Sequence, residues 1–423
     1  MIGFVGLTHL GIIYSLATAA KGFQTVAFDP DEGLVIGLND GNFPVSEPGL
    51  VEGWRENRTR LRYTSKVSDL ADCSLVFVSL DVSTDEKHQS NLGPLRALIA
   101  LAIPALANGT TVVLLNQVPP GFTREVRREY QAICSERQIE IIYQVETLVF
   151  GQAVARAIEP ERYIIGLPNQ DDPIPVAYLD WLSAFSCPCI CMRLESAELA
   201  KTAINFFLVS TVTTTNFLAQ LCEALGADWS EIVPALKLDK RIGPHAYLRP
   251  GLGISGGNLP RDLVTLRRLS ADNGLPTDLI DTWIRESDYR RDWVLRHIQK
   301  AGLNAGKLAI WGLAYIANTA STKNSAGVAI LHALPDASKA AYDPQVKVLP
   351  EGMPHTRIAA SPLEALDGAD ALCIMTPWAE FSEVPIAELT KRLAGHLVFD
   401  PLGVLDKSAV RTAGLSHFRL GKP

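Results

Sequence analysis

Short, continuously apolar runs of strand length, separated by helical stretches, recur at both ends of this chain and constrain its fold more than any other feature. Near the N-terminus they are MIGFVGL (1–7), FQTVAFD (23–29), CSLVFVSL (73–80), TVVLL (111–115) and IEIIYQV (139–145), with a helix expected over Leu10–Lys21. Such runs are buried on both faces, and interleaved helices make a parallel sheet the natural solution. The rhythm restarts at Lys307 with KLAIWGL, then KAAYDP (339–344), ALCIMTP (371–377) and HLVFDP (396–401). Between the two stretches, Glu195 to about Leu225 reads as one long helix, with Ser196 and Glu198 near its start and Gly226 near its end. Its apolar positions cover more than one face, so it packs on several neighbours or on a partner subunit. The expected architecture is α/β, then helical, then α/β, with domains at 1–190, 191–300 and 301–423.

A chain of 423 residues is too long for one ordinary core. A net charge of −7 supplies no basic field for phosphate neutralisation, which excludes a nucleic-acid binder as the first reading. The longest apolar stretch, around residues 95–107, is cut by Pro104 and too short for a bilayer, so no membrane partner is expected. The first strand begins at Met1 or Ile2, leaving no room for a targeting peptide. Seven scattered cysteines without framework spacing suit reduced thiols in the cytoplasm. Three of them form CPCIC (187–191), where alternate residues of a strand could align thiols on one face. No second ligand group follows at suitable spacing, so no metal is expected.

G-L-T-H-L-G (6–11) lies between the first strand and the first helix, the context of a dinucleotide fingerprint. There Gly6 and Gly11 permit the turn and the helix packing, and the helix N-terminus offers N–H groups to a pyrophosphate. Thr8 replaces the middle glycine, where bare backbone ordinarily admits the phosphates. Asp29 ends the second strand 23 residues after Gly6, where a carboxylate accepts hydrogen bonds from the adenosine ribose. It would also repel a 2′-phosphate, which favours NAD over NADP.

Several further segments share one order and spacing. They are NQVPPGFTREV (116–126), VETLVFGQAVARAIEPERYIIG (145–166), AELAKTAINFFL (197–208), DKRIG (239–243) and GLGISGGNLPRDLVTL (251–266). Together they resemble the S-T-V-P-x-G-T-T loop, the P-E-F-L-x-E-G run, the A-E-L-x-K-x-x-x-N-x-F-L helix, D-x-R-I-G and the catalytic G-F-G-x-G-G-S-C-F-x-K-D loop of the UDP-glucose/GDP-mannose dehydrogenase family. The resemblance covers nearly the whole chain. It implies an NAD-binding Rossmann domain, a central helical dimerisation domain, a C-terminal Rossmann-like domain for a nucleotide sugar, and a homodimer. Members oxidise a primary alcohol to a carboxylate in two hydride transfers, the second through a cysteine thiohemiacetal and thioester. Carried over by position, Lys201, Asn205 and Asp262 keep the residues that handle the alcohol proton, through a water. Glu146 matches the glutamate of thioester hydrolysis, and Arg241 an arginine reaching substrate, across a dimer interface. Tyr247, Gly253 and Gly257 fall on substrate-binding positions.

The departures are as informative. The cysteine nucleophile falls on Asn258, and an amide cannot attack an aldehyde at neutral pH as a thiolate can. The catalytic threonine falls on Gln117 and the second glutamate of P-E-F-L-x-E-G on Phe150. In the C-terminal domain F-x-K-K-x-T-x-D-x-R-x-S becomes Y-I-A-N-T-A-S-T-K-N-S (315–325), so Ile316 replaces a phosphate-binding lysine and Lys323 stands in for an arginine. Gln117 and Lys323 are assigned to the cofactor side. F-D-G-R-N becomes FDPLG (399–403), with Leu402 in place of an arginine. The expected activity is NAD-dependent oxidation of an alcohol of a sugar-like substrate, nucleotide-linked or free, stopping after one hydride. Full oxidation through a hydrated aldehyde, and a catalytically silent homologue, are the alternatives.

Overall fold

The computed structural model describes residues 1–85 and 89–422. By their internal contacts they form two compact units, 1–204 and 205–423, with the boundary inside the long helix.

The first unit is built on eight strands: β1 (Ile2–Val5), β2 (Thr25–Phe28), β3 (Leu61–Thr64), β4 (Leu75–Val78), β5 (Thr111–Leu114), β6 (Glu140–Gln144), β7 (Tyr163–Leu167) and β8 (Cys189–Arg193). Their order is β3-β2-β1-β4-β5-β6-β7-β8. The first six strands follow the dinucleotide-binding order, and every pair among them is parallel. Two apolar clusters cover the two faces, one around Phe4, Phe77 and Trp181 and the other around Val76, Leu114 and Ile141, which is why the strands read as unbroken apolar runs. The five runs expected to form a parallel sheet do so. Strand β7, which was not among them, runs antiparallel to β6, Tyr143 opposite Gly166. Burial on both faces is blind to strand direction, which is set here by how the chain returns through residues 145–162.

The second unit holds six strands: β9 (Lys307–Trp311), β10 (Ser338–Tyr342), β11 (Thr356–Ile358), β12 (Ala371–Ile374), β13 (Leu397–Phe399) and β14 (Ser416–Phe418), ordered β11-β10-β9-β12-β13-β14 and all parallel. This repeats the strand order of the first six strands and also their turn chemistry. Gly312 after β9 has φ +99°, as Gly6 after β1 has +95°, and Asp343 follows β10 as Asp29 follows β2. The two aspartates differ decisively. Asp343 is buried and saturated, accepting from the N–H groups of Leu313, Ala314, Gln345 and Val346 and from the Trp378 indole. No lone pair is left on Asp343 for a ribose.

The long helix spans Leu194–Leu225. Leu194 and Ala197 pack into the first unit's core, Val209 packs with Leu263 and Ile280, and Ala219 and Cys222 pack with Trp229 and Leu248. A helix that serves three clusters needs apolar residues on more than one face, as its sequence has.

Candidate active site

In the first unit the functional positions sit at the C-terminal ends of the parallel strands, where this topology opens a crevice. The Gly6 turn follows β1. Positive φ there, and Leu80 within 3.0 Å of any Cβ, require glycine. Gly11 is fixed by packing, since a Cβ would lie 1.9 Å from the Gly6 carbonyl oxygen. Asp29 braces the same turn: Oδ2 accepts the Leu7 N–H at 2.8 Å and Oδ1 the Asp31 N–H at 3.0 Å. An ionised carboxylate offers about four acceptor sites, so both oxygens keep one for ribose hydroxyls. The turn, the N-terminus of the first helix (His9–Ala20) and Asp29 therefore fit a dinucleotide. Thr8 is engaged elsewhere. Its Oγ1 accepts the Asp81 N–H at 2.7 Å and donates to the Ser79 carbonyl. His9 pairs with Glu47 at 2.9 Å, and its ring lies 4.5 Å from that of Phe150, tilted by 34°.

Glu146 and Lys201 come together. Lys201, on the long helix, lies 3.5 Å from Glu146 Oε2, both largely shielded, and the other Glu146 oxygen accepts the Leu148 N–H. Gln117 lies in the loop after β5, beside the buried Asn116, whose amide donates to the Leu80 carbonyl.

Sequence reasoning missed what holds that loop. Glu198, one turn into the long helix and fully buried, accepts the N–H groups of Gly121 (2.6 Å) and Thr123 (2.7 Å) at the start of the helix Phe122–Glu129. Burial pushes its carboxyl above the usual range, opposed by those hydrogen bonds. Replacing Glu198 with alanine leaves two buried donors unpaired and should cost about 1–3 kcal/mol per unsatisfied group. A lowered denaturation midpoint checks this; an unchanged midpoint contradicts it.

In the second unit the glycine-rich segment 251–257 is clasped on both sides. Gly253 has φ +76°, and a Cβ there would meet the Ser287 carbonyl at 2.4 Å. Ile254 N–H donates to Ser287 Oγ. Gly256, at φ +77°, lies against the Tyr315 ring, its N–H donating to the Lys323 carbonyl and its carbonyl accepting from Asn324. Gly257 faces the Lys323 side chain. The 315–325 segment thus shapes this loop, and the glycines answer first to close backbone packing.

The loop ends on the helix Asn258–Asp272. Asp262 is buried, accepts from the Asn205 amide at Oδ2, and has Arg261 Nε 3.5 Å from Oδ1. Arg261 Nη2 in turn donates to Asn258 Oδ1 at 3.2 Å. Arginine only donates, so this bond fixes the Asn258 amide orientation, oxygen toward Arg261 and NH2 outward. Asn258 itself is exposed. Arg261 was not singled out by sequence, because its role depends on a helical turn that brings three neighbours into one chain of contacts.

Arg241 stands apart from these groups, its side chain 89% exposed and tied to Asp239 of its own loop. Tyr247 lines a cavity of about 720 Å³ with Trp229, Lys237, Arg249, Leu402 and Arg419. Arg249 donates to the Leu402 carbonyl at 2.6 Å. Gly403 admits the Arg419 guanidinium so closely that a Cβ would overlap it.

Every cysteine carries a free thiol, and burial pushes all seven above the usual thiol range. A reactive cysteine needs the opposite shift. Strand β8 begins at Cys189, and Cys187 and Cys191 pack against the first core. Among the described residues no group of three or more histidine, cysteine or acidic side chains could hold a metal, and no helix is long and apolar enough to cross a membrane.

A doubly wound sheet carrying a glycine turn and an acceptor aspartate defines a dinucleotide-dependent enzyme class. Comparisons with known proteins narrow it. Residues 1–179 match the NAD binding domain of the UDP-glucose/GDP-mannose dehydrogenase family, 195–288 its central domain and 309–407 its UDP binding domain. The chain is 28% identical to the putative UDP-glucose 6-dehydrogenase YtcA of Bacillus subtilis, over 99% of each chain. It is also 28% identical to the UDP-glucose 6-dehydrogenase of Rhizobium meliloti, over 100% of this chain and 99% of that one. In fold it is similar to a UDP-glucose dehydrogenase from Pyrobaculum islandicum (TM-score 0.83, 24% identity, 94% and 96% of the two chains covered). A UDP-D-ManNAc dehydrogenase from Pyrococcus horikoshii gives a TM-score of 0.84 at 20% identity, over 100% and 99%. The chain belongs to the UDP-glucose/GDP-mannose dehydrogenase family. It is an NAD-dependent oxidoreductase acting on CH–OH groups, in a family of nucleotide-sugar dehydrogenases.

Proposed function

We propose that this enzyme oxidises one alcohol carbon of a nucleotide sugar and releases the carbonyl product after a single hydride transfer. The observation that carries this is the exposed Asn258 in the glycine loop, where the family resemblance puts the nucleophile, in a chain whose seven thiols are all pushed up by burial. An amide nitrogen is no nucleophile at neutral pH, so no thiohemiacetal forms and the second oxidation has no covalent route. Asn258 instead presents its NH2 as a donor to the product carbonyl oxygen.

The site would hold NAD, which would supply the hydride acceptor when bound. Asp262, through a water, takes the proton of the hydroxyl, held by Asn205 and Arg261. The Lys201 ammonium stabilises charge developing on the alkoxide oxygen. Glu146, anchored by Lys201 and the Leu148 N–H, positions that ammonium. Gly6, the helix N-terminus, Asp29 and Gln117 hold the cofactor, while Lys323 is the residue that the resemblance adds to the cofactor side. Tyr247, Gly253 and Gly257 take the substrate, and Arg241, exposed on its own subunit, reaches the substrate of the partner subunit across the proposed dimer interface. Lys237, Arg249 and Arg419 around the Tyr247 cavity offer a diphosphate the cations missing at Ile316 and Leu402. Incubation with NAD and a panel of nucleotide sugars, in the presence of a carbonyl-trapping amine, tests this. Mass spectrometry should find the trapped aldehyde or ketone. Acid as the sole product, or no turnover of any nucleotide sugar, would sink the reading.

The protein acts in the cytoplasm, where free thiols persist, and as a homodimer through its central helices. Support comes from the exposed apolar residues Phe207, Phe217, Leu221 and Leu225 on the long helix and Leu238 beyond it. Light scattering should give twice the chain mass, and Phe207→Asp with Leu225→Asp should halve it. A wild-type monomer would contradict the dimer.

A further inference from the structure

The N-terminus of the first helix already holds a negative charge. Asp81 Oδ2 accepts the Leu10 N–H at 3.2 Å, one of the first-turn donors that a dinucleotide site offers to pyrophosphate. The backbone that carries this exposed carboxylate is tied down. Asp81 follows β4, the strand beside β1, and its own N–H is held at 2.7 Å by Thr8 Oγ1. Thr8 in turn donates to the Ser79 carbonyl, and Ser79 Oγ donates to the Gly6 carbonyl at 3.0 Å. Two unusual features of the site are therefore one device. The threonine at the middle position of the glycine turn fastens the loop after β4, and that loop delivers a carboxylate to the helix N-terminus.

We infer that Asp81 is an electrostatic gate on cofactor affinity, competing with the diphosphate of NAD and NADH for the same helix donors. To bind, the diphosphate must displace the carboxylate from Leu10 N–H and then remain beside it as a like charge, so affinity is lowered and release is hastened. The effect acts on the diphosphate alone and leaves adenosine recognition, through Asp29, untouched. The inference rests on the family's NAD site and not on the single-oxidation reading, so either can fail without the other.

Calorimetric titration of the full chain with NAD, NADH, ADP-ribose and adenosine tests it, on the wild type, Asp81→Asn and Asp81→Ala. The asparagine keeps a side-chain oxygen for Leu10 N–H and removes only the charge. Both variants should bind NAD, NADH and ADP-ribose about tenfold more tightly than wild type near 0.02 M NaCl, with the gap shrinking near 0.5 M as charge is screened. Adenosine affinity should not change. Unchanged or weaker dinucleotide binding by folded Asp81→Asn would show that Asp81 merely caps the helix and would overturn the gate. Equal tightening for adenosine, or no NAD binding by any of the three proteins, would overturn it as well. Thr8→Gly, which releases the loop, should tighten NAD binding in the same direction, and a loss of tightness there would also contradict the inference.

Discussion

Asp262→Asn should lower kcat by about 10²–10⁴-fold while NAD affinity stays at the wild-type value. The substitution is chosen to change chemistry and little else. An asparagine keeps a carbonyl oxygen for the Asn205 amide, so the contact between the long helix and the helix Asn258–Asp272 survives. What disappears is the negative charge and the basic lone pair, which the proposed proton transfer requires. Arg261 loses its partner at 3.5 Å and becomes a less-compensated buried cation, so a modest fall in stability accompanies the change. The two effects are separable: melting reports the second, and kcat measured well below the melting range reports the first. A structural ion pair would move stability and leave kcat within a few-fold. That outcome would remove Asp262 from the chemistry.

The second large effect is on folding. Glu223 on the long helix gathers three donors, from Arg290 Nη2 at 2.7 Å, the Trp293 indole at 2.9 Å and the Gly421 N–H at 2.7 Å. Arg290 is 1% exposed. One carboxylate thus joins the long helix, the helices Asp278–Arg291 and Trp293–Lys300, and the segment around Gly421. Glu223→Ala strands a buried guanidinium and two further donors, and the loss should be about 3–5 kcal/mol. Changing both partners to apolar residues, Glu223→Leu with Arg290→Met, should recover part of it, because no charge is then left buried alone while the Trp293 and Gly421 donors stay unpaired. Chemical denaturation of the wild type and both variants checks this. A loss below about 1 kcal/mol for Glu223→Ala would place the pair with ordinary surface salt bridges.

Much of the fold was legible because both sheets are buried on two faces, which writes each strand as an apolar run. The reading of 1–7 as strand overran β1 by Met1 at one end and by two residues at the other, since Gly6 and Leu7 are as buried as the strand they follow. The antiparallel β7 was not legible, because its composition is that of a parallel core strand. At the site, identity and neighbourhood parted. Glu146, Lys201, Asn205 and Asp262 could be singled out by position, but their partners could not. Nothing local to Glu198 signals that it holds residues 121 and 123, nor does anything near Asp81 signal a tie to Thr8, 73 residues earlier. The cations that line the Tyr247 cavity, Lys237, Arg249, Arg419 and Lys422, come together only in the fold, so reading Ile316 and Leu402 alone could not bring them into view.

The glycine loop returns the question to Asn258. The decisive measurement is the ratio of NADH formed to nucleotide sugar consumed at the end of the reaction, with the product identified by mass. One NADH per substrate and a carbonyl product two hydrogens lighter than the alcohol is the predicted result. Two NADH per substrate, with a carboxylate as product, would show that the second oxidation proceeds without a cysteine at this position and would contradict the role of Asn258 as the residue that ends the reaction at the carbonyl.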